Sequence, residues 1–99
     1  MEITKTADGS KLTVAITGRI DTQTAPQLQE SLQESVDSVT DLVLDFTDVI
    51  YISSAGLRTI VTAQNWMDQK KGTMVIKNVG KNIMSVFKVT GFDSFLTIE

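Results

Sequence analysis

Leu12, Val14 and Ile16 alternate with Thr13, Ala15 and Thr17, the period of a strand with one buried face. Residues 2–7 form a shorter strand ahead of it, and Asp8-Gly9 between them is a hairpin signal. The pattern then changes. Ala25, Leu28, Leu32, Val36 and Val39 recur at helical spacing with Gln, Glu and Ser between them, which predicts an amphipathic helix over about 24–38 that covers the sheet. Gly18-Arg19-Ile20-Asp21-Thr22 reads as the turn before it, with Thr24 as N-cap, Pro26 in the first turn and Gln27 completing a capping box.

Leu42-Val43-Leu44 is a continuous apolar run inside a predicted strand, 41–46, of the kind covered on both faces. A short acidic turn follows, then a second apolar cluster, Val49-Ile50-Tyr51-Ile52, and then Ser53-Ser54 at the mouth of a second helix, 54–69. On a helical wheel Leu57, Ile60, Val61, Ala63 and Met67 fill one arc of about 160°, and Ser54, Arg58, Thr62 and Asn65 fall on the other side. Trp66 lies off the core stripe and reads either as packed under a neighbouring loop or helix or as an anchor for a partner. Lys70-Lys71-Gly72 stops this helix. Residues 73–77 form a strand, 80–90 a third helix with Ile83, Met84, Val86 and Phe87 on its apolar side and Gly91 as its stop, and Phe95, Leu96 and Ile98 a last strand. The order β-β-α-β-α-β-α-β is an α/β fold with a mixed sheet, and 99 residues make one domain, 1–99.

Composition narrows the chemistry. There is no cysteine and no histidine, which removes disulfides, thiol chemistry, histidine bases and most zinc sites. A net charge of −3 argues against nucleic acid as a partner. No apolar run approaches a membrane span, and the amino terminus lacks a signal peptide's apolar region. The chain reads as soluble and cytoplasmic.

No enzyme pattern is complete. Ser54-Ala55-Gly56 lacks the glycine two residues before the serine that a nucleophile elbow needs, since Ile52 stands there. Val79-Gly80-Lys81 lacks the first glycine and the hydroxyl residue of a phosphate loop. Asp45 and Asp48 suggest either a metal-bound phosphoacceptor or turn-forming carboxylates, and the second is the better reading. We therefore expect no catalytic residues, no metal and no cofactor. The serines carry two readings. Ser53 as an N-cap and Ser54 as a first-turn residue need no further role. Alternatively a phosphate added there would sit at the positive end of a helix dipole and add close to two negative charges to a patch already bearing aspartates.

The stretch Asp45 to Arg58 resembles the signature of bacterial anti-sigma factor antagonists, the single-domain members of the STAS family. Gly18-Arg19-Ile20-Asp21 with Ala25, Lys70-Lys71-Gly72 with Met74-Val75-Ile76, and Val86 to Phe92 are similar to three further family segments, so the resemblance spans essentially the whole chain. It implies a STAS-like mixed sheet with covering helices and a partner-switching module. The unphosphorylated antagonist would bind an anti-sigma factor that is also a serine kinase and so release the sigma factor. Phosphorylation on a serine at the start of the second helix would break the complex, and a metal-dependent serine phosphatase would restore it. ATP and magnesium would belong to the kinase. The Gly56-Leu57 pair sets the register and puts the phosphoacceptor at Ser54, with Ser53 as second choice where many relatives carry aspartate. Asp21 matches a family acidic residue at the kinase contact. Ser53, Ser54, Ala55, Gly56 and Leu57 complete the expected partner surface, and the polar face, independently of the family motif, adds Thr22, Arg58 and Thr62 as rim contacts. A non-switching STAS subunit docked on a transporter or signalling scaffold is the alternative.

Overall fold

The computed structural model describes residues 1–99. Its elements are β1 (Glu2–Asp8), β2 (Lys11–Ile20), α1 (Ala25–Val36), β3 (Asp41–Ile52), α2 (Ser54–Gln69), β4 (Thr73–Lys77) and α3 (Lys81–Thr90), followed by a 3-10 turn at Phe92–Ser94. The sheet order is β1-β2-β3-β4. β1 and β2 form the expected antiparallel hairpin, and β2–β3 and β3–β4 are parallel, so the sheet is mixed. The predicted last strand is reduced to one parallel bridge, Ile98 to Ile76 at the edge of β4. Phe95 is exposed there, while Leu96 reaches the core.

Register explains the core. Leu12 pairs with Leu42, Val14 with Leu44, and these in turn with Met74 and Ile76, so all six side chains share one face. Leu28 and Leu32 from α1, Leu57, Ile60, Ala63 and Met67 from α2, and Ile83 and Phe87 from α3 join them in one cluster. Val43 corrects the expectation of a strand covered on both faces. It is buried, yet it points to the opposite face with Thr13, Ala15 and Val75 and lies outside that cluster. The apolar run reflects burial among neighbouring strands rather than a second helical layer.

The second correction concerns β2 and β3, which run on where turns were expected. β2 continues through Gly18, which takes φ +91° at an irregularity in the strand. β3 runs past Asp45 and Asp48 to Ile52 and accommodates two bulges. Phe46 and Thr47 oppose Ile16 alone, and Ile50 has no partner between Val49 and Tyr51. Each bulge adds a residue, so the inward positions become Phe46, Val49 and Ile52, three apart instead of two. Asp45 braces the first bulge. Its Oδ1 accepts from the Thr47 hydroxyl at 2.6 Å, the Thr47 amide at 3.0 Å and the Asn78 amide group at 3.1 Å. These bonds, the Thr47 hydroxyl first, hold the carboxyl below its ordinary range.

α2 ends by a different device from the one expected. Lys71, not Gly72, takes the left-handed conformation, at φ 61°. Gly72 is required for space, since a Cβ there would lie 2.7 Å from the Thr40 carbonyl oxygen. Lys70 donates to the carbonyl of Val36 and so caps the end of α1. Trp66 is half-buried against the core beside Gln33 and Val36, which makes it a helix-packing residue of the α1–α2 seam.

Candidate functional site

Parallel pairing of β2, β3 and β4 places the carboxyl ends of these strands at one edge, and α1, α2 and α3 each begin there. Two of these junctions are stitched together. The amide of Ser53 donates to the carbonyl of Ile20 at 2.8 Å. α2 comes so close to β2 that a Cβ on Gly56 would meet Ile20 Cγ2 at 2.7 Å and the Ile20 carbonyl oxygen at 2.9 Å. Asp21 and Ser54 are therefore each one residue from the same interstrand bond.

The start of α1 is built on Asp21. Its Oδ1 accepts from the amides of Gln23 and Thr24, both at 3.0 Å, and its own amide donates to Thr24 Oγ1 at 2.8 Å. This reciprocal pair is a capping box between Asp21 and Thr24, three residues ahead of the expected Thr24–Gln27 pair. Thr24 stands at the formal N-cap without capping, because its hydroxyl is turned back to the carbonyl of Arg19 at 2.8 Å. The Thr24 amide, then the Gln23 amide and the Arg19 cation, hold the Asp21 carboxyl below its ordinary value of 3.8. Asp21 is thus a carboxylate at any pH near neutrality.

The start of α2 separates the two serines. Ser53 is the N-cap, extended at φ −91°, ψ 174°, and its Oγ accepts from the Gly56 amide at 3.2 Å. Ser54 is the first helical residue, and it is exposed. Its hydroxyl makes no hydrogen bond within the chain, in contrast to Ser53. One turn on, Arg58 is also exposed and forms no ion pair.

Of the sequence-predicted residues, Thr22, Ala55, Arg58 and Thr62 meet along a shallow open cavity of about 440 Å³ between α1 and α2. Pro26, Gln29, Glu30 and Gln33 of α1 form its other wall. Gly56 and Leu57 are different. Both are buried, Leu57 at 3% exposure, so they present no side chain to a partner. Their contribution is to seat the first turn of α2 against β2.

Three surface residues escaped the sequence reading. Ile50, set outward by the second bulge, is 69% exposed, and Tyr51 is 41% exposed. The Arg19 guanidinium lies 4.2 Å from the Tyr51 ring centroid and 3.8 Å from Asp21, a cation–π contact joined to an ion pair. The signal available was Gly18 inside an alternating strand, which marks a bulge as readily as a turn. No helix is long and apolar enough to cross a membrane.

Fold and site together define an α/β domain that opens a polar face, with an unengaged hydroxyl, at the carboxyl edge of its strands. The chain belongs to the STAS domain family, whose model matches residues 2–99. It is 28% identical over 96 residues to the anti-sigma-B factor antagonist of Listeria monocytogenes, which covers 96% of this chain and 84% of that protein. Among solved structures, an anti-sigma factor antagonist from Mycobacterium paratuberculosis superposes with a TM-score of 0.87 at 23% identity, over 98% of this chain and 83% of that one. The phosphorylated form of the Bacillus cell fate determinant SpoIIAA does so with a TM-score of 0.78 at 13% identity, over 99% and 91%.

Proposed function

We propose that this chain is a cytoplasmic anti-sigma factor antagonist, one STAS domain over residues 1–99, switched by phosphorylation of Ser54. Unphosphorylated, it binds an anti-sigma factor that is also a serine kinase, and the sigma factor is released. The kinase then transfers the γ-phosphoryl group of its own ATP to Ser54 Oγ. The hydroxyl gives up its proton, ADP leaves, and the complex dissociates. A serine phosphatase removes the phosphate and resets the switch. No turnover is assigned to the antagonist itself.

The observation that carries this reading is the division of labour between the serines. Ser53 spends its oxygen on the cap of α2, whereas Ser54 presents a hydroxyl without a partner, one residue beyond the Ser53–Ile20 bond that Asp21 also adjoins. A phosphate on Ser54 adds close to two negative charges next to a fixed carboxylate. The fold tolerates them at a helix amino terminus, and a surface fitted to the neutral serine does not. The names of the sequence relatives support the antagonist role.

The test is phosphosite mapping by mass spectrometry on protein isolated from its own host, with binding measured for two variants. Phosphate on Ser54 is expected. Ser54→Ala should hold the kinase constitutively and Ser54→Asp should release it. Equal binding by both variants would sink the switch. Absence of phosphate under every growth and stress condition would favour a STAS subunit that docks on a transporter or scaffold without a phosphate cycle.

A further inference from the structure

On the α1–α2 side of the polar face, Arg58 is a cation without a partner. Arg19 is committed to Asp21 and to the Tyr51 ring. Arg58 makes no ion pair, and its side chain donates no hydrogen bond within the chain. It stands four residues after Ser54 on the same exposed side of α2. That spacing is one turn, about 6 Å along the axis, and side chains four apart face each other. Helical side chains also lean toward the amino terminus, so a side chain as long as that of Arg58 has the reach to meet a phosphate on Ser54.

We propose that Arg58 is the phosphate clamp of this domain, closing on the phosphate of phosphorylated Ser54 through charge-assisted hydrogen bonds. The inference rests on Ser54 being the phosphoacceptor. The surrounding charges favour this arrangement. The amino terminus of α2 attracts the phosphate, and Glu30, across the α1–α2 cavity, is the one carboxylate among the residues that line that cavity with Arg58. Glu30 and Arg58 are not paired, so the guanidinium has no strong contact to give up. Clamping changes the partner face twice. It adds the phosphate's charge, and it withdraws a cation from the rim that the unphosphorylated protein offers. The switch is then a transfer of Arg58 from intermolecular to intramolecular service.

The experiment installs phosphoserine at position 54 during translation, so no kinase is needed, and follows the phosphate by 31P NMR against pH. An unperturbed phosphoserine has its second pKa near 6. A nearby guanidinium favours the dianion and lowers that value. Arg58→Gln should raise it by roughly half a unit, about 0.7 kcal/mol, and Arg58→Lys should restore part of the difference. Arg58 is exposed, so each variant should keep the wild-type amide spectrum away from α2. A second pKa unmoved by Arg58→Gln in a folded protein overturns the clamp. The switching reading is tested separately with the same phosphoprotein. A phosphate held by Arg58 in a chain that still binds the kinase supports the clamp and refutes the switch.

Discussion

Ser53 and Ile20 are joined backbone to backbone, amide to carbonyl, at 2.8 Å. This bond ties the start of α2 to the end of β2, the strand that leads into α1. It fixes Asp21 and Ser54 on one surface, although 32 residues of chain separate them, counting from 22 to 53. Whatever loosens it moves the acidic residue and the hydroxyl apart.

Gly56 is the residue that allows the approach. An added Cβ would fall 2.9 Å from the Ile20 carbonyl oxygen, which is backbone and cannot rotate away, and 2.8 Å from Ile52 Cγ1. Gly56→Ala should therefore destabilise the fold by roughly 1–3 kcal/mol, against the usual helix preference for alanine. Urea denaturation measures it. A variant as stable as wild type would show that α2 can lift from β2 at no cost.

The two serines should separate in stability as they do in geometry. Ser53→Ala removes the oxygen that caps the Gly56 amide and should cost about 1 kcal/mol. Ser54→Ala removes an exposed hydroxyl with no partner and should lie within about 0.5 kcal/mol of wild type. A thermal or urea series on the two variants decides it, and the reverse order would exchange their roles.

The elements that obey a simple period were legible in the chain. α2 and β4 stand at the residues expected, and the hairpin, α1 and α3 differ only at their ends. What failed was the last strand, which is reduced to one bridge at Ile98, and the segment that breaks its period. Phe46, Val49 and Ile52 point inward at intervals of three because two bulges intervene, and an interval of three in an acidic stretch reads as a turn. The same bulges expose Ile50 and Tyr51, which sit in an apolar run that periodicity assigns to the core. The capping box was displaced for a related reason. Asp21 in a presumed loop already starts the turn of α1, so Thr24 answers to it rather than to Gln27. The serine register came from the family resemblance at Gly56-Leu57, two residues that the fold buries at the start of α2.

Asp21 makes stability depend on acid. Its carboxyl is held low in the fold, chiefly by the Thr24 amide, so the folded state prefers the ionised form. That contribution is complete above the unfolded value, near 3.8, and is lost as pH falls through the lower folded value. Asp21→Asn keeps an oxygen acceptor but does not titrate. The stability difference between wild type and this variant should be constant near neutrality and shrink below about pH 4. Asp45, also held low, titrates in both proteins and cancels. A difference that stays flat to pH 2 would remove Asp21 from the account.

The bulge in β3 makes one further residue testable. Ile50 is 69% exposed at the edge where all three helices start, and Val89 is 87% exposed near the end of α3. The two are alike as apolar side chains in water, and replacing either with serine should change stability by less than about 0.5 kcal/mol. They differ in place. Val89 lies eight residues along α3 from its first residue, about 12 Å further down the axis, away from the serine edge. If the partner kinase docks on that edge, Ile50 is an apolar anchor within a polar surround. Ile50→Ser should then weaken the complex at least tenfold, about 1.4 kcal/mol, while Val89→Ser leaves it unchanged. Calorimetric titration of the unphosphorylated variants with the kinase reads both. Loss of affinity in Val89→Ser with Ile50→Ser unaffected would move the docking surface to the far end of α3 and detach it from Ser54.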